Sequence, residues 1–425
     1  MMATGRPDSL PRALYIHIPF CAVRCPYCDF NTYAGLEGQF DAYTDALEVE
    51  VRQAGARLGR PSISTIFIGG GTPTVMPPPL LARVLNACHE TFDLAPDAEI
   101  TSEANPGTVD QAHFLALRAM GVNRLSMGVQ SLDDAELRWL GRIHSANEAV
   151  DAHTAARSAG FSNINLDLMF GLPGQDPVTW QHTLARAASL GPEHLSLYSL
   201  TVEHGTPLAG RVRRGQVAAP DDDLAADLYL SAGDLLARHG YVQYEISNWA
   251  RDEGIGNREQ GIGSASCGRG DNTTTLVSTP CSLLPNPSFA CRHNLVYWRD
   301  EPYLGFGAGA HSYDGRRRRW NVKPVPAYIG RIRQGRSPEA GGENIDTRLA
   351  QGETMMLGLR LVLEGVANAR FQARFGMTLD EVFGVEIAAL TRRGLLEQID
   401  GHLRLTPQGR LLGNQVFAEF LACRA

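Results

Sequence analysis

Between Ala13 and Thr201, short apolar runs alternate with longer amphipathic segments, and this alternation restricts the fold more than any other feature. Ala13 to Phe20 (ALYIHIPF), Ser62 to Ile68, Asp97 to Glu103, Arg124 to Gln130, Asn163 to Phe170 and His194 to Thr201 read as six strands. Helix-length segments such as Gln39 to Arg57 and Leu80 to Phe92 lie between them. A β-then-α order makes successive strands parallel, with right-handed crossovers. Six such units, spaced by about 30–40 residues, predict an α/β fold: a partial (β/α)6 barrel of the TIM type. The notable polar residues follow the C-terminal ends of these strands. They are the cysteines at 21–28, the glycines at 69–71, Glu103, Gln130, Asp167 and the loop after Thr201. In such barrels that rim carries the chemistry.

The 425 residues suffice for two to three domains. We expect the barrel over 1–250. Residues 251–290 are rich in Gly, Ser, Thr, Asn and Pro, lack periodicity, and read as a disordered insertion. A connector over 291–340 carries Cys291 to Trp298 (CRHNLVYW) and Gly305 to His311 (GFGAGAH). Residues 341–425 return to helical spacing over Glu353 to Leu363 and Leu379 to Leu390. A short strand pair near Leu403 to Leu405 and a helix from Pro407 follow, giving a smaller helical, winged-helix-like domain.

Charge and hydropathy remove several function classes. The net charge is −7, and the one basic block, Arg316 to Arg319, reads as a solvated loop, so nucleic-acid binding is not expected. No run of 18 apolar residues exists to span a membrane. Only 12 residues precede the first apolar run and none forms a signal core, so a cytoplasmic setting with reduced thiols is expected. Three of the eight cysteines, Cys21, Cys25 and Cys28, fall in a CxxxCxxC spacing directly after a strand. A structural zinc site wants four ligands, and no fourth is obvious nearby. Three thiolates suit a 4Fe–4S cluster that keeps one iron open. Cys267 and Cys281 lack ligand spacing with each other or with Cys291 and read as free thiols.

The motifs YIHIPFC, CxxxCPYCDF, GGGTPT, SEANP, GVQS, LDLMFGLPGQ, YEISNWA, HNLVYW and GFGAGAHS, spread over nearly the whole chain outside the insertion, are specific. With them the chain resembles the radical S-adenosylmethionine (SAM) superfamily. Within it, the resemblance is to the oxygen-independent coproporphyrinogen III oxidase-like group, and there to the branch of heme chaperones. The resemblance implies that Cys21, Cys25 and Cys28 hold a 4Fe–4S cluster whose open iron binds SAM and whose electron cleaves it to a 5′-deoxyadenosyl radical. It implies SAM contacts from Tyr15, Tyr27, Gly70, Gly71, Thr72, Glu103, Gln130, Arg142 and Asp167. Tyr27 is expected against the adenine, and the Gly305 to His311 segment near it. Glycines let backbone donors approach a carboxylate, and Arg142 can pair with the methionine carboxylate.

Three features separate chaperone from oxidase. The oxidases resemble this chain but carry a fourth cysteine two residues after the third, where Phe30 stands here. They also carry a longer leader before the position of Tyr15, and YEISNWA and HNLVYW resemble the chaperone branch. That branch implies heme as cargo and apo-hemoproteins as partners, among them membrane respiratory proteins. Radical SAM machinery would then be present without coproporphyrinogen oxidase activity. His293, beside Tyr297 and Trp298, is the expected heme contact, since imidazole is a common axial ligand of heme iron. The alternative is the oxidase itself, decarboxylating two propionates to vinyls.

Overall fold

The alternation produces six parallel strands: β1 Ala13–Ile18, β2 Ser62–Gly70, β3 Asp93–Ala104, β4 Arg124–Gln130, β5 Ile164–Phe170 and β6 His194–Ser199. The computed structural model describes residues 10–252 and 286–421. Most of the expected insertion, with Cys267 and Cys281, lies outside the described residues, as does Cys423. The six strands pair in chain order, each parallel to the next. Alternate residues divide between two faces. Leu14, Ile16, Ile18, Ile66, Ile68, Leu125, Met127, Leu166 and Leu168 are fully or almost fully buried. Burying each of these apolar side chains contributes about 2 kcal/mol. The intervening residues Phe67, Glu103, Ser126, Asp167 and Ser196 instead line a cavity. Asp110, Ser145 and Asp176 cap three of the covering helices by accepting first-turn N–H groups, at about 1 kcal/mol each.

The sheet continues beyond the other edge of β1. Strand Tyr303–Phe306 pairs parallel with β1, Ala13 opposite Tyr303 through Ile16 opposite Phe306. Antiparallel strands His311–Tyr313, Arg317–Asn321 and Glu339–Asn344 follow. The segment expected as a connector is therefore part of the barrel's own sheet. Domain boundaries differ from the expected ones for this reason. One compact unit comprises residues 10–235 and 291–350, and the second comprises 236–252, 286–290 and 351–421.

In the second unit the hairpin Tyr241–Glu245 and Asn248–Arg251 is tied to the C-terminal segment. Val362 N–H donates to the Tyr244 carbonyl, and Arg360 pairs with the buried Glu245. Strands Val366–Ala367, His402–Leu405 and Leu396–Ile399 form a small antiparallel sheet. Together with helices Asn368–Phe375 and Leu379–Arg392, it closes on a core that includes Leu359, Phe371, Phe383, Leu403 and Phe420. This is the winged-helix-like pattern read from the C-terminal segment.

A buried carboxylate fixes the glycine-rich segment after Tyr303–Phe306. Glu50, on helix Phe40–Leu58, accepts from Gly307 N–H (2.9 Å), Asn321 Nδ2 (2.7 Å) and the Tyr328 hydroxyl (2.7 Å). Burial raises its carboxyl, and these three donors act in the opposite sense. Tyr43 adds a second tie, donating to the His17 carbonyl at 2.8 Å and accepting from Ala308 N–H at 2.9 Å. Glu50→Gln puts an amide donor among three donors. We expect it to cost about 2 kcal/mol of stability, read by chemical denaturation. An unchanged midpoint would contradict this role.

Candidate functional site

The cysteine loop leaves β1 and returns to its own base. Cys21 N–H donates to the Tyr33 carbonyl (2.9 Å), and Tyr33 N–H donates to the Pro19 carbonyl (2.7 Å). The end of β2 clamps the same base: Gly71 N–H reaches the Ile18 carbonyl (2.8 Å) and Thr72 N–H the Phe20 carbonyl (2.7 Å). This contact needs glycine. A Cβ on Gly71 would lie 2.4 Å from the Phe20 carbonyl oxygen, and Gly70 sits at φ +116° with a Cβ position 2.3 Å from the His17 ring. The backbone donors expected to face a ligand carboxylate are thus already engaged. Gly70 N–H holds a carboxylate of the protein itself, Glu103 Oε2, at 2.9 Å.

Above this base lies a cavity of about 580 Å³ lined by all three thiols. Cys21, Cys25 and Cys28 are free and half-buried. Each sulfur faces a polar group: Thr72 Oγ1 lies 3.9 Å from Cys21, Arg142 Nη1 donates to Cys25 at 3.3 Å, and Thr32 Oγ1 is 4.0 Å from Cys28. Burial raises the thiols of Cys21 and Cys28. Among the described residues, no three His, Cys, Asp or Glu side chains converge on a point suited to a single metal ion. Thiols spread around a mouth suit a polynuclear cluster, in which each thiolate binds a different iron. The donor set fits a 4Fe–4S cluster.

Most of the other expected residues line the same cavity: Tyr27, Gly70, Gly71, Thr72, Glu103, Gln130, Arg142 and Asp167. Arg142 also donates to the Gly128 carbonyl at 2.7 Å, and its Nε is buried with no hydrogen-bond partner. The Tyr27 hydroxyl faces Cys25 and Arg142, and its ring packs against Leu140, Met169, Leu172, Leu200 and Leu208. Gln130 ends β4 with φ +68°, an uncommon conformation for a side-chain-bearing residue and one that functional sites retain. Glu103 is pushed up to about 8, first by burial and then by Asp167, with Gly70 N–H acting against them. Asp167 is raised by burial, although Ser126 and Asn165 donate to it at 3.0 and 2.9 Å. A cation entering this cavity would meet two carboxyls that burial holds toward neutrality, and would bring their ionised forms back into range.

Two residues sit elsewhere. Tyr15 is not on the cavity wall: its hydroxyl bonds His17 Nδ1 at 2.9 Å and its ring stacks on Phe67, which is. His293 opens helix Arg292–Trp298 and is 1% exposed. Its Nδ1 pairs with Thr65 Oγ1 and its Nε2 with the Tyr297 hydroxyl, both at 2.9 Å. Burial, aided by the Arg124 charge, lowers it to about 3. To reach an iron, this neutral ring must give up one of its two hydrogen bonds and move. The Glu99 carboxylate holds the helix start through the N–H groups of Arg292 and His293 at 3.1 and 3.0 Å.

Sequence reasoning missed Arg124, Asn31 and Thr32. Arg124 is 2% exposed, lines the cavity and helps keep His194 and His293 neutral. The available signal was a lone arginine heading an apolar strand, RLSMGVQ. Asn31 Nδ2 bridges the cysteine loop to the carbonyls of Ala308 and Lys323 at 3.0 and 3.1 Å. Nothing local in sequence announces those partners.

Residues 15–187 match the model of the radical SAM superfamily, and residues 352–412 match the HemN C-terminal domain. The heme chaperone HemW of Bacillus subtilis is 38% identical, covering 96% of this chain and 99% of that protein. The heme chaperone HemW of Mycobacterium tuberculosis H37Rv is 37% identical over 97% of this chain and 95% of that protein. That of Escherichia coli K12 is 35% identical over 97% and 98%. A solved structure of coproporphyrinogen III oxidase (HemN) from Escherichia coli, described as a radical SAM enzyme, superposes with a TM-score of 0.79 at 25% identity. The match covers 98% of this chain and 91% of that one.

Cys25→Ala should reduce the iron of anaerobically reconstituted protein from about four per chain to near zero, measured as iron and acid-labile sulfide. Full retention would contradict the ligand role. Arg142→Gln removes the guanidinium from Cys25 and from the cavity. SAM affinity by calorimetry should fall at least about tenfold, and an unchanged affinity would remove Arg142 from the site.

Proposed function

The chain belongs to the HemW family of heme chaperones within the radical SAM superfamily, and from that premise we propose that it holds heme and hands it to apo-hemoproteins. Full-length identity to curated heme chaperones carries the reading, because it covers both units and both ends of those proteins. The thiolates of Cys21, Cys25 and Cys28 would hold the cluster, leaving one iron for the amino-acid end of SAM. When bound, the cluster supplies one electron at low potential to SAM. The protein's part is to bind and orient. Arg142 brings its guanidinium to the cavity, Tyr27 offers an aromatic face, and Gln130 offers donor and acceptor together. Glu103 and Asp167 would ionise against the cationic end of the cofactor. The clients would include respiratory hemoproteins of the membrane. No described helix is long and apolar enough to cross a membrane, so such a client would supply the membrane span.

Backbone similarity to the coproporphyrinogen oxidase favours a second reading, oxidative decarboxylation. Phe30 argues against it. It stands where the oxidases resembled by the sequence carry a fourth cysteine, and here it is 64% exposed on the cavity rim. Val23, 52% exposed on the same rim, extends this apolar surface.

The two readings separate in one pair of assays. Heme-loaded protein mixed with an apo-cytochrome b should transfer its heme, seen as the acceptor's spectrum. The reconstituted protein with SAM, reductant and coproporphyrinogen should release no carbon dioxide. Decarboxylation without heme transfer would reverse the assignment.

A further inference from the structure

The helix that carries His293 also reaches the cavity. Asn294, the next residue, lines it and is half-buried, and its side-chain amide has no hydrogen-bond partner among the described residues. Two strands place it there. Thr65 and Phe67 of β2, and Glu99 and Glu103 of β3, share the inner face of the sheet by alternation. Phe67 and Glu103 line the cavity, while Thr65 and Glu99, opposite each other in the ladder, lie below them. Thr65 comes five positions before Gly70, a rise of about 16 Å along the strand. Thr65 and Glu99 are the residues that hold the helix. Helix Arg292–Trp298 therefore closes the floor of a cavity whose mouth carries the thiols.

The helix start is held by buried partners. Besides the N–H groups of Arg292 and His293, Glu99 faces the Cys291 thiol at 3.6 Å. Arg292 Nη1 reaches the Asp97 carbonyl and carboxylate at 2.7 and 3.1 Å. The His293 ring is packed by Phe67 and Tyr297, with centroids 5.2 and 5.0 Å away. It has no room to swing toward a porphyrin in place. An iron ligated by His293 would draw the helix off Glu99 and take Asn294 away from the floor. An amide is donor and acceptor in one, and a ligand in the cavity bonds it only while the helix is docked. Two binding events thus bear on one two-state element with opposite sign.

Resting on the readings that the cavity binds SAM and that His293 meets heme iron, we propose that Asn294 is a positioning residue. Bonded to SAM, it keeps helix Arg292–Trp298 docked, so that SAM and the His293–iron bond oppose each other. SAM is then a discharge signal that favours release of heme to a waiting client. On release the imidazole keeps its lone pair, the iron keeps its oxidation state, and the ring regains its bonds to Thr65 and Tyr297. Linkage is reciprocal, so heme weakens SAM binding by the same factor.

Cys291 is a built-in reporter, because it is 1% exposed against Glu99 and meets solvent only when the helix start leaves. Reconstituted full-length protein is kept anaerobic and without reductant, so that SAM binds uncleaved. It is treated with N-ethylmaleimide, and Cys291 labelling is followed by mass spectrometry of its peptide. Saturating SAM should slow labelling at least about fivefold in the wild type. It should have no effect in Asn294→Ala or in Asn294→Leu, which keeps the bulk without the amide. In a parallel hemin titration, followed in the Soret region, SAM should weaken wild-type heme binding at least about fivefold and leave that of Asn294→Leu unchanged. Labelling that ignores SAM in the wild type, or is slowed equally in both variants, overturns the role of Asn294 and leaves the chaperone reading standing. Slowed labelling with heme binding indifferent to SAM overturns the opposition of the two ligands. Absence of saturable heme binding by the wild type overturns the chaperone reading, and labelling alone then decides the role of Asn294.

Discussion

The structure depends on how the cysteine loop is held. A loop carrying three thiols has no reason of its own to keep them around one mouth. Its two arms are tied by backbone hydrogen bonds between Cys21, Tyr33 and Pro19, and its base is clamped by Gly71 and Thr72. Asn31 then fastens its far arm to Ala308 and Lys323. Those two carbonyls are in place because Glu50 and Tyr43 pin the glycine-rich segment from behind. The loop is thus fixed from three sides by partners drawn from residues 17 to 323, and rigid support is what a cluster with one open position requires.

A second constraint is the polarity of the barrel interior. Arg124, His194 and His293 are withdrawn from water, and Glu103 and Asp167 are half-buried on the cavity wall. Burial on this scale costs several kcal/mol for each charge left unpaired. The protein limits the cost by leaving its histidines neutral and by surrounding Asp167 with Ser126 and Asn165. The remaining imbalance, carboxyls held toward neutrality beside an open cavity, is a site prepared for a cationic ligand. Arg142, against Cys25 on the wall of the same cavity, would face the anionic end of such a molecule.

Much of this was legible in sequence. Parallel strands covered on both sides read as apolar runs, so β4 was read over its full span and the other five were located to within a few residues. The cysteine spacing and the rim positions were readable because each follows a strand end. What escaped depends on distance along the chain. Strand Tyr303–Phe306 is four residues long with a glycine inside it, and only its pairing with β1, about 290 residues earlier, makes it a strand. The division into units escaped for the same reason. His293 was read correctly as sitting beside Tyr297, but its second partner, Thr65, comes from another part of the fold.

The central claim is that three thiols hold a cluster with one iron open to SAM. Electron paramagnetic resonance of the anaerobically reduced protein, recorded with and without SAM, tests it most directly. The account predicts a 4Fe–4S signal whose g-values shift when SAM is added, because the added ligand changes the coordination of one iron. A signal that does not change with saturating SAM, or a protein that carries zinc and gives no such signal, would contradict it.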